Sequence, residues 1–105
     1  MADRKTRILW SRLAELDLDS AHAFLAERSP EAARRLAEDI LTAVNALSRQ
    51  PELGVVARDL LPAGRYRHLV IGRYRLIYRL ADKRILLLRV WDTRQDPSRL
   101  VRGMR

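Results

Sequence analysis

From Trp10 onward the apolar positions Leu13, Ala14, Ala21, Phe24 and Leu25 recur at helical spacing, with Asp17 breaking into the same stripe. That spacing predicts a helix running to about Arg28. There Ser29-Pro30-Glu31 intervenes: serine caps a helix, proline fits its first position, and glutamate suits the positive end of its dipole. A second helix is therefore expected from Pro30. Its stripe of Ala33, Leu36, Ala37, Ile40, Leu41, Val44 and Leu47 follows the i, i+3, i+4, i+7 pattern throughout. Pro51 stops it and Gly54 marks a turn. Ahead of the first helix, Lys5 to Trp10 reads as a short strand.

Past a connector at 52–64, which contains Asp59, Pro62 and Gly64, the hydrophobic period changes to two. Tyr66–Ile71, Tyr74–Leu80 and Ile85–Trp91 read as three strands, with Gly72 and Asp82-Lys83 in the turns between them. After Trp91 the chain turns polar and Asp96-Pro97 ends any strand, leaving 98–105 as a short helix or a flexible tail. The order β-α-α-β-β-β, helices first and strands last, predicts one α+β domain over residues 1–105. In it a helix hairpin packs on one face of an antiparallel sheet and leaves the other face open.

Side-chain alternation assigns the two faces. Tyr74, Leu76, Tyr78 and Leu80 point one way, and Arg73, Arg75, Ile77 and Arg79 the other. In the last strand Leu86, Leu88 and Val90 are expected on one side, with Ile85, Leu87, Arg89 and Trp91 on the other. Burying unpaired guanidinium groups is costly, so the arginine side faces away from a dry core. Arg67, Arg73, Arg75, Arg89 and Arg94 are then candidate anion donors. Equally, they fit arginines paired with carboxylates on the wet side of the sheet.

Composition sharpens this picture. The chain of 105 residues carries 21 Lys and Arg against 13 Asp and Glu, a net +8, and only Lys5 and Lys83 are lysines. Arginine's planar fork suits nucleic acid or an acidic protein segment, although a solvated surface accounts for the same numbers. There is no cysteine, which excludes disulfides and thiolate chemistry. His22 and His68 lie far apart, so no metal or cofactor site is expected, and His22 reads as a surface histidine. No run approaches the roughly 20 apolar residues of a membrane span. With no signal-peptide core at the N-terminus, the expected location is the cytoplasm.

Three segments carry a family resemblance: Pro51-Glu52-Leu53-Gly54, the stretch from Tyr66 to Leu80 with its Tyr74-Arg75-Leu76-Ile77-Tyr78-Arg79 core, and Ile85 to Pro97. In this order and spacing they resemble the RelE/ParE superfamily of toxins from type II toxin–antitoxin systems. The Ser29-Pro30 hairpin with its alanine-rich second helix resembles the ParE side. The resemblance implies a growth-arresting toxin neutralised in a hetero-oligomer by an acidic, partly disordered antitoxin. Relatives diverge in target: RelE-like members cleave messenger RNA on the ribosome, and ParE-like members inhibit DNA gyrase.

Cleavage through the RNA 2′-hydroxyl needs a base, an acid and cations for the pentavalent phosphate. By resemblance Arg75 matches an arginine of the RNA-cleaving members and Arg94 a second, while Asp59 lies near a glutamate base and His68 near a lysine. Asp92 stands where the family often has histidine, and Leu100 and Val101 where nucleases carry a late tyrosine. An ionised aspartate is a poor acid at neutral pH. The cations survive while most proton-transfer groups do not, which favours a gyrase-binding toxin over a metal-independent endoribonuclease using Arg75, Arg94, Asp59 and His68. A plain or inactive nucleic-acid-binding module is the third reading. Arg67, Arg73, Arg89, Trp91, Arg99 and Arg102 are the residues expected to meet antitoxin or target. Arg75 braced by Asp92 or Asp59, and Trp91 as a core or rim aromatic, are the structural alternatives.

Overall fold

The computed structural model describes residues 5–101 and Met104. Strand β1 (Arg7–Trp10) leads into helices α1 (Arg12–Arg28) and α2 (Pro30–Arg49). Four further strands follow, β2 (Val55–Val56), β3 (Arg67–Ile71), β4 (Tyr74–Ala81) and β5 (Arg84–Asp92), and then a 3₁₀ turn at Pro97–Arg99. Ser29 serves both helices: its backbone N–H closes α1 on the Leu25 carbonyl, and its hydroxyl accepts from Ala32 N at the start of α2. The expected order is found, with one addition. The two-residue β2 was hidden in the connector, too short for any periodicity to announce it.

The sheet runs β1-β5-β4-β3-β2, antiparallel except that β1 lies parallel to β5. On the helix side a core forms from Ala14, Leu36, Ile40, Leu47, Tyr74, Leu76, Tyr78, Ile85, Leu87 and Val90. The stripe of α2 is narrower than its sequence suggests. Ala33, Leu36, Ile40 and Leu47 are buried, whereas Leu41, on the flank beside Ile40, is exposed.

The expected face assignment for β5 is corrected by a bulge. Ile77 partners Arg89 and Tyr78 partners Leu87, so Leu88 has no partner. One extra residue shifts every side chain before it to the opposite face. Ile85 and Leu87 therefore join Val90 in the helix-side core, and Leu88 packs with Trp91 on the other side.

The second face is not bare either. Ala57, Leu60 and Tyr66 from the connector, and Leu100 and Met104 from the tail, close over Ile77 and Trp91 as a second small core. The Tyr66 hydroxyl donates to the Met104 carbonyl. An open sheet face would have left Ile77 and Trp91 wet, and covering them removes roughly 25 cal/mol of unfavourable hydration per Å² of apolar surface.

Candidate functional site

Four residues expected to act on RNA were Arg75, Arg94, Asp59 and His68, and the fold brings three of them together. Arg75 rises from β4 on the second sheet face, His68 sits diagonally across on β3, and Asp59 reaches in from the connector. The Arg75 guanidinium holds both Asp59 oxygens, Nη1 to Oδ2 and Nη2 to Oδ1, each at 2.9 Å. Its Nε donates to His68 Nδ1 at 2.8 Å. Arg94 is elsewhere. It pairs with Asp92 (Nη2 to Oδ2, 3.1 Å) beside Tyr74 and Phe24, on the helix side of the sheet.

Protonation follows from these contacts. The Arg75 hydrogen bonds hold Asp59 below its ordinary carboxylate value, against a smaller effect of burial. Burial pushes His68 down, and the Arg75 charge pushes it further. A neutral His68 that accepts at Nδ1 carries its proton on Nε2. Its one lone pair is spent on Arg75, so it is no free base. Burial raises the Asp92 carboxyl, but the side-chain and backbone hydrogen bonds of Arg94 outweigh this and hold it ionised. The trio can present a fixed dipole and an Nε2–H donor to a ligand. It has no evident group ready to take or give a proton at neutral pH.

The Pro51–Gly54 motif and Tyr78 are built into one joint beside this trio. The Tyr78 hydroxyl donates to the Pro51 carbonyl at 2.9 Å and accepts from Gly54 N at 2.8 Å. A Cβ on Gly54 would lie 2.7 Å from both the Tyr78 hydroxyl and the His68 carbonyl oxygen, so only glycine fits the close approach. Arg67 completes the joint by donating to the Gly54 carbonyl at 2.7 Å and the Glu52 carbonyl at 3.3 Å. A shallow cleft of about 700 Å³ opens over this joint, lined in part by Val55, Arg58, Asp59, Arg67 and His68.

Arg89 and Trp91, expected to meet a partner, lie inside at 9% and 4% exposure. Arg89 grips Asp17 of α1 with Nε–Oδ2 at 2.8 Å and Nη2–Oδ1 at 2.9 Å, donates to the Leu100 carbonyl, and stacks on Trp91. Asp17 Oδ2 also accepts from Val90 N. The acidic break in the α1 stripe was the sequence signal for this clamp. It pointed at the sheet rather than at solvent. Arg73 and Arg99 are exposed and join no ion pair among the described residues. Arg102 falls outside the described residues.

A second groove, about 640 Å³, runs between α1 and the far ends of β4 and β5. Phe24, Ala21, Tyr74 and Val90 give it an apolar floor, and Asp92, Arg94 and Gln95 a polar rim. Sequence periodicity puts Phe24 on the apolar stripe of α1. It is instead 45% exposed, with the Arg28 guanidinium 3.9 Å above its ring.

Comparison with known proteins places this geometry. The family model described as the ParE toxin of the type II toxin–antitoxin system parDE matches residues 8–97. A chain of the chromosomal ParDE system from P. aeruginosa superposes with a TM-score of 0.69 at 24% identity, covering 83% of this chain and 95% of that one. A chain of the RelBE2 toxin–antitoxin complex from Mycobacterium tuberculosis gives a TM-score of 0.57 at 29% identity, covering 82% and 95%. Among curated proteins nothing matches the sequence.

Proposed function

The chain belongs to the ParE toxin family of type II toxin–antitoxin systems, and from that premise we propose that it arrests growth by binding DNA gyrase rather than by cutting messenger RNA. The observation that carries this reading is the saturated state of the Arg75 trio. Asp59 is ionised with both oxygens engaged by Arg75, and the Nδ1 lone pair of His68 is taken. Arg94 stands on the other side of the sheet with its own carboxylate. A ribonuclease needs an acid and a base poised near the operating pH, and none of these groups is so poised.

The partner that silences the toxin is an antitoxin, in keeping with the solved relatives, which come from toxin–antitoxin assemblies. A chain of +8 favours an acidic, partly disordered antitoxin segment, which orders on binding. Arg73 and Arg99 remain candidate contacts for it, together with Arg67 at the rim of its cleft and Arg102. Arg89 and Trp91 act on such a partner only by holding the surface in shape.

One observation supports a messenger RNA endonuclease as a second reading: Arg75, Asp59 and His68 do converge, as that activity requires. A supercoiling assay with purified gyrase separates the two. Loss of supercoiling at stoichiometric toxin, with messenger RNA on ribosomes left intact, is the expected result. Cut messenger RNA and normal supercoiling would reverse the assignment.

A further inference from the structure

The tip of the β4–β5 hairpin gathers cations that the fold itself does not use. Arg7 of β1 and Arg84 of β5 are direct partners in the parallel pairing, so the two side chains stand next to each other on one face. Arg79 lies on that same face, opposite Leu86 and diagonal to Arg84. Like charges placed across neighbouring strands destabilise a sheet. None of the three joins an ion pair among the described residues.

The cluster continues around the end of the molecule. Thr6 N donates to the Ser48 carbonyl and ties the start of β1 to the end of α2. Lys5 and Arg49 consequently share a shallow cleft with Asn45 and Ala46. Asp82 and Lys83 form the hairpin turn itself with φ at +37° and +57°, the two positive values that a two-residue hairpin turn requires and that favour glycine. Lys83 joins no ion pair among the described residues, so its ammonium adds to the positive end of the molecule beside the single carboxylate of Asp82.

We propose that this end of the toxin, with Arg7, Arg79, Lys83 and Arg84 at its centre, docks on the phosphate backbone of duplex DNA. An acidic amphipathic protein segment fits less well. Apart from Leu80, the exposed large apolar side chains lie elsewhere, on the helices, the connector, β2, β3 and the tail. A single strand fits less well too, because Trp10, the aromatic of β1, packs against the helix-side core and offers no stacking platform. Guanidinium and ammonium groups clustered on a polar surface match a row of phosphates. The choice of DNA over an RNA duplex rests on the proposed gyrase target, whose own substrate is DNA.

The test is fluorescence anisotropy of the full chain with a duplex of about 20 base pairs and arbitrary sequence, across a potassium chloride series. Each phosphate contact contributes about 0.9 to the slope of log K against log salt. Arg7→Gln with Arg84→Gln is expected to lower that slope by about 1.8, while Arg34→Gln with Arg35→Gln on α2 leaves it unchanged. Lys83→Gly guards against a merely misfolded variant: it relieves the positive φ, so Tm is expected to rise while the slope falls by about 0.9. Equal slope losses for both double variants, an unchanged slope in Lys83→Gly, or tighter binding to double-stranded RNA or to polyglutamate at equal salt would each overturn the proposal. Gyrase inhibition without DNA binding removes this proposal alone. DNA binding through these residues with gyrase untouched removes the gyrase reading alone.

Discussion

Two bidentate arginine–carboxylate forks of nearly equal bond lengths, one through Nε and Nη2 and the other through both Nη atoms, serve this molecule in different ways. Arg89 and Asp17 meet at 2.8 and 2.9 Å, and so do Arg75 and Asp59 at 2.9 Å twice. Their surroundings differ. The Asp17 side chain is 17% exposed and carries α1, β5 and, through Arg89, the tail, whereas the Asp59 side chain is 57% exposed on a connector. A buried charge that loses its partner has no water to fall back on, but an exposed one does. The first fork is therefore part of the scaffold. The second sets the state of a surface, holding Arg75 and His68 in place without much bearing on whether the chain folds.

Removing one arm of each fork separates their roles. Arg89→Ala leaves the half-buried Asp17 with only the Val90 N–H among the described residues and empties the space that Arg89 fills between α1 and the tail, and it is expected to cost about 3 kcal/mol in urea unfolding. A loss below about 1 kcal/mol would put the two forks in the same class. Gly54→Ala follows, since its new Cβ meets Tyr78 and the His68 backbone at once. A cost of about 1–3 kcal/mol is expected by the same measurement. Because one clash is with backbone, adding Tyr78→Phe should not restore stability.

Asp59→Asn should cost no more than about 1 kcal/mol, yet it should move Arg75, visible as changed chemical shifts at His68. The smallest effect concerns pH. The His68 value is lowered in the folded chain, so between the folded and unfolded values the unfolded chain binds more protons. Stability from this group is thus complete above the ordinary histidine value of 6.5 and is lost as pH falls below it. His68→Gln is expected to flatten that part of the stability profile. An unchanged profile would mean that burial and the Arg75 charge do not hold the ring neutral.

Much of the architecture was legible because it repeats. The α2 stripe, the Ser29-Pro30 junction and the period-two strands each announce themselves over many residues. Single-residue events were not legible. The bulge at Leu88 leaves the apolar alternation of Ile85 to Trp91 plausible in either register, and only pairing with β4 decides it. Covering of the second face depended on Leu60, Leu100 and Met104, apolar residues scattered through segments that read as loop and tail. At the site, Arg75, Asp59 and His68 were nameable and do meet. Which arginines were spent internally was not, because Asp17 finds Arg89 across 72 positions of sequence. Asp17 on an apolar stripe was the only hint.

If the Arg75 trio takes no part in catalysis, as proposed, inducing the toxin and its Arg75→Ala variant in bacteria will show it. Plasmid topology and transcript ends are read from the same cultures. Lost negative supercoiling and broken DNA with transcripts intact are expected for the natural chain, and no transcript cleavage to lose in the variant. Transcripts cut by the natural chain and spared by Arg75→Ala, with supercoiling normal in both, would contradict the proposal.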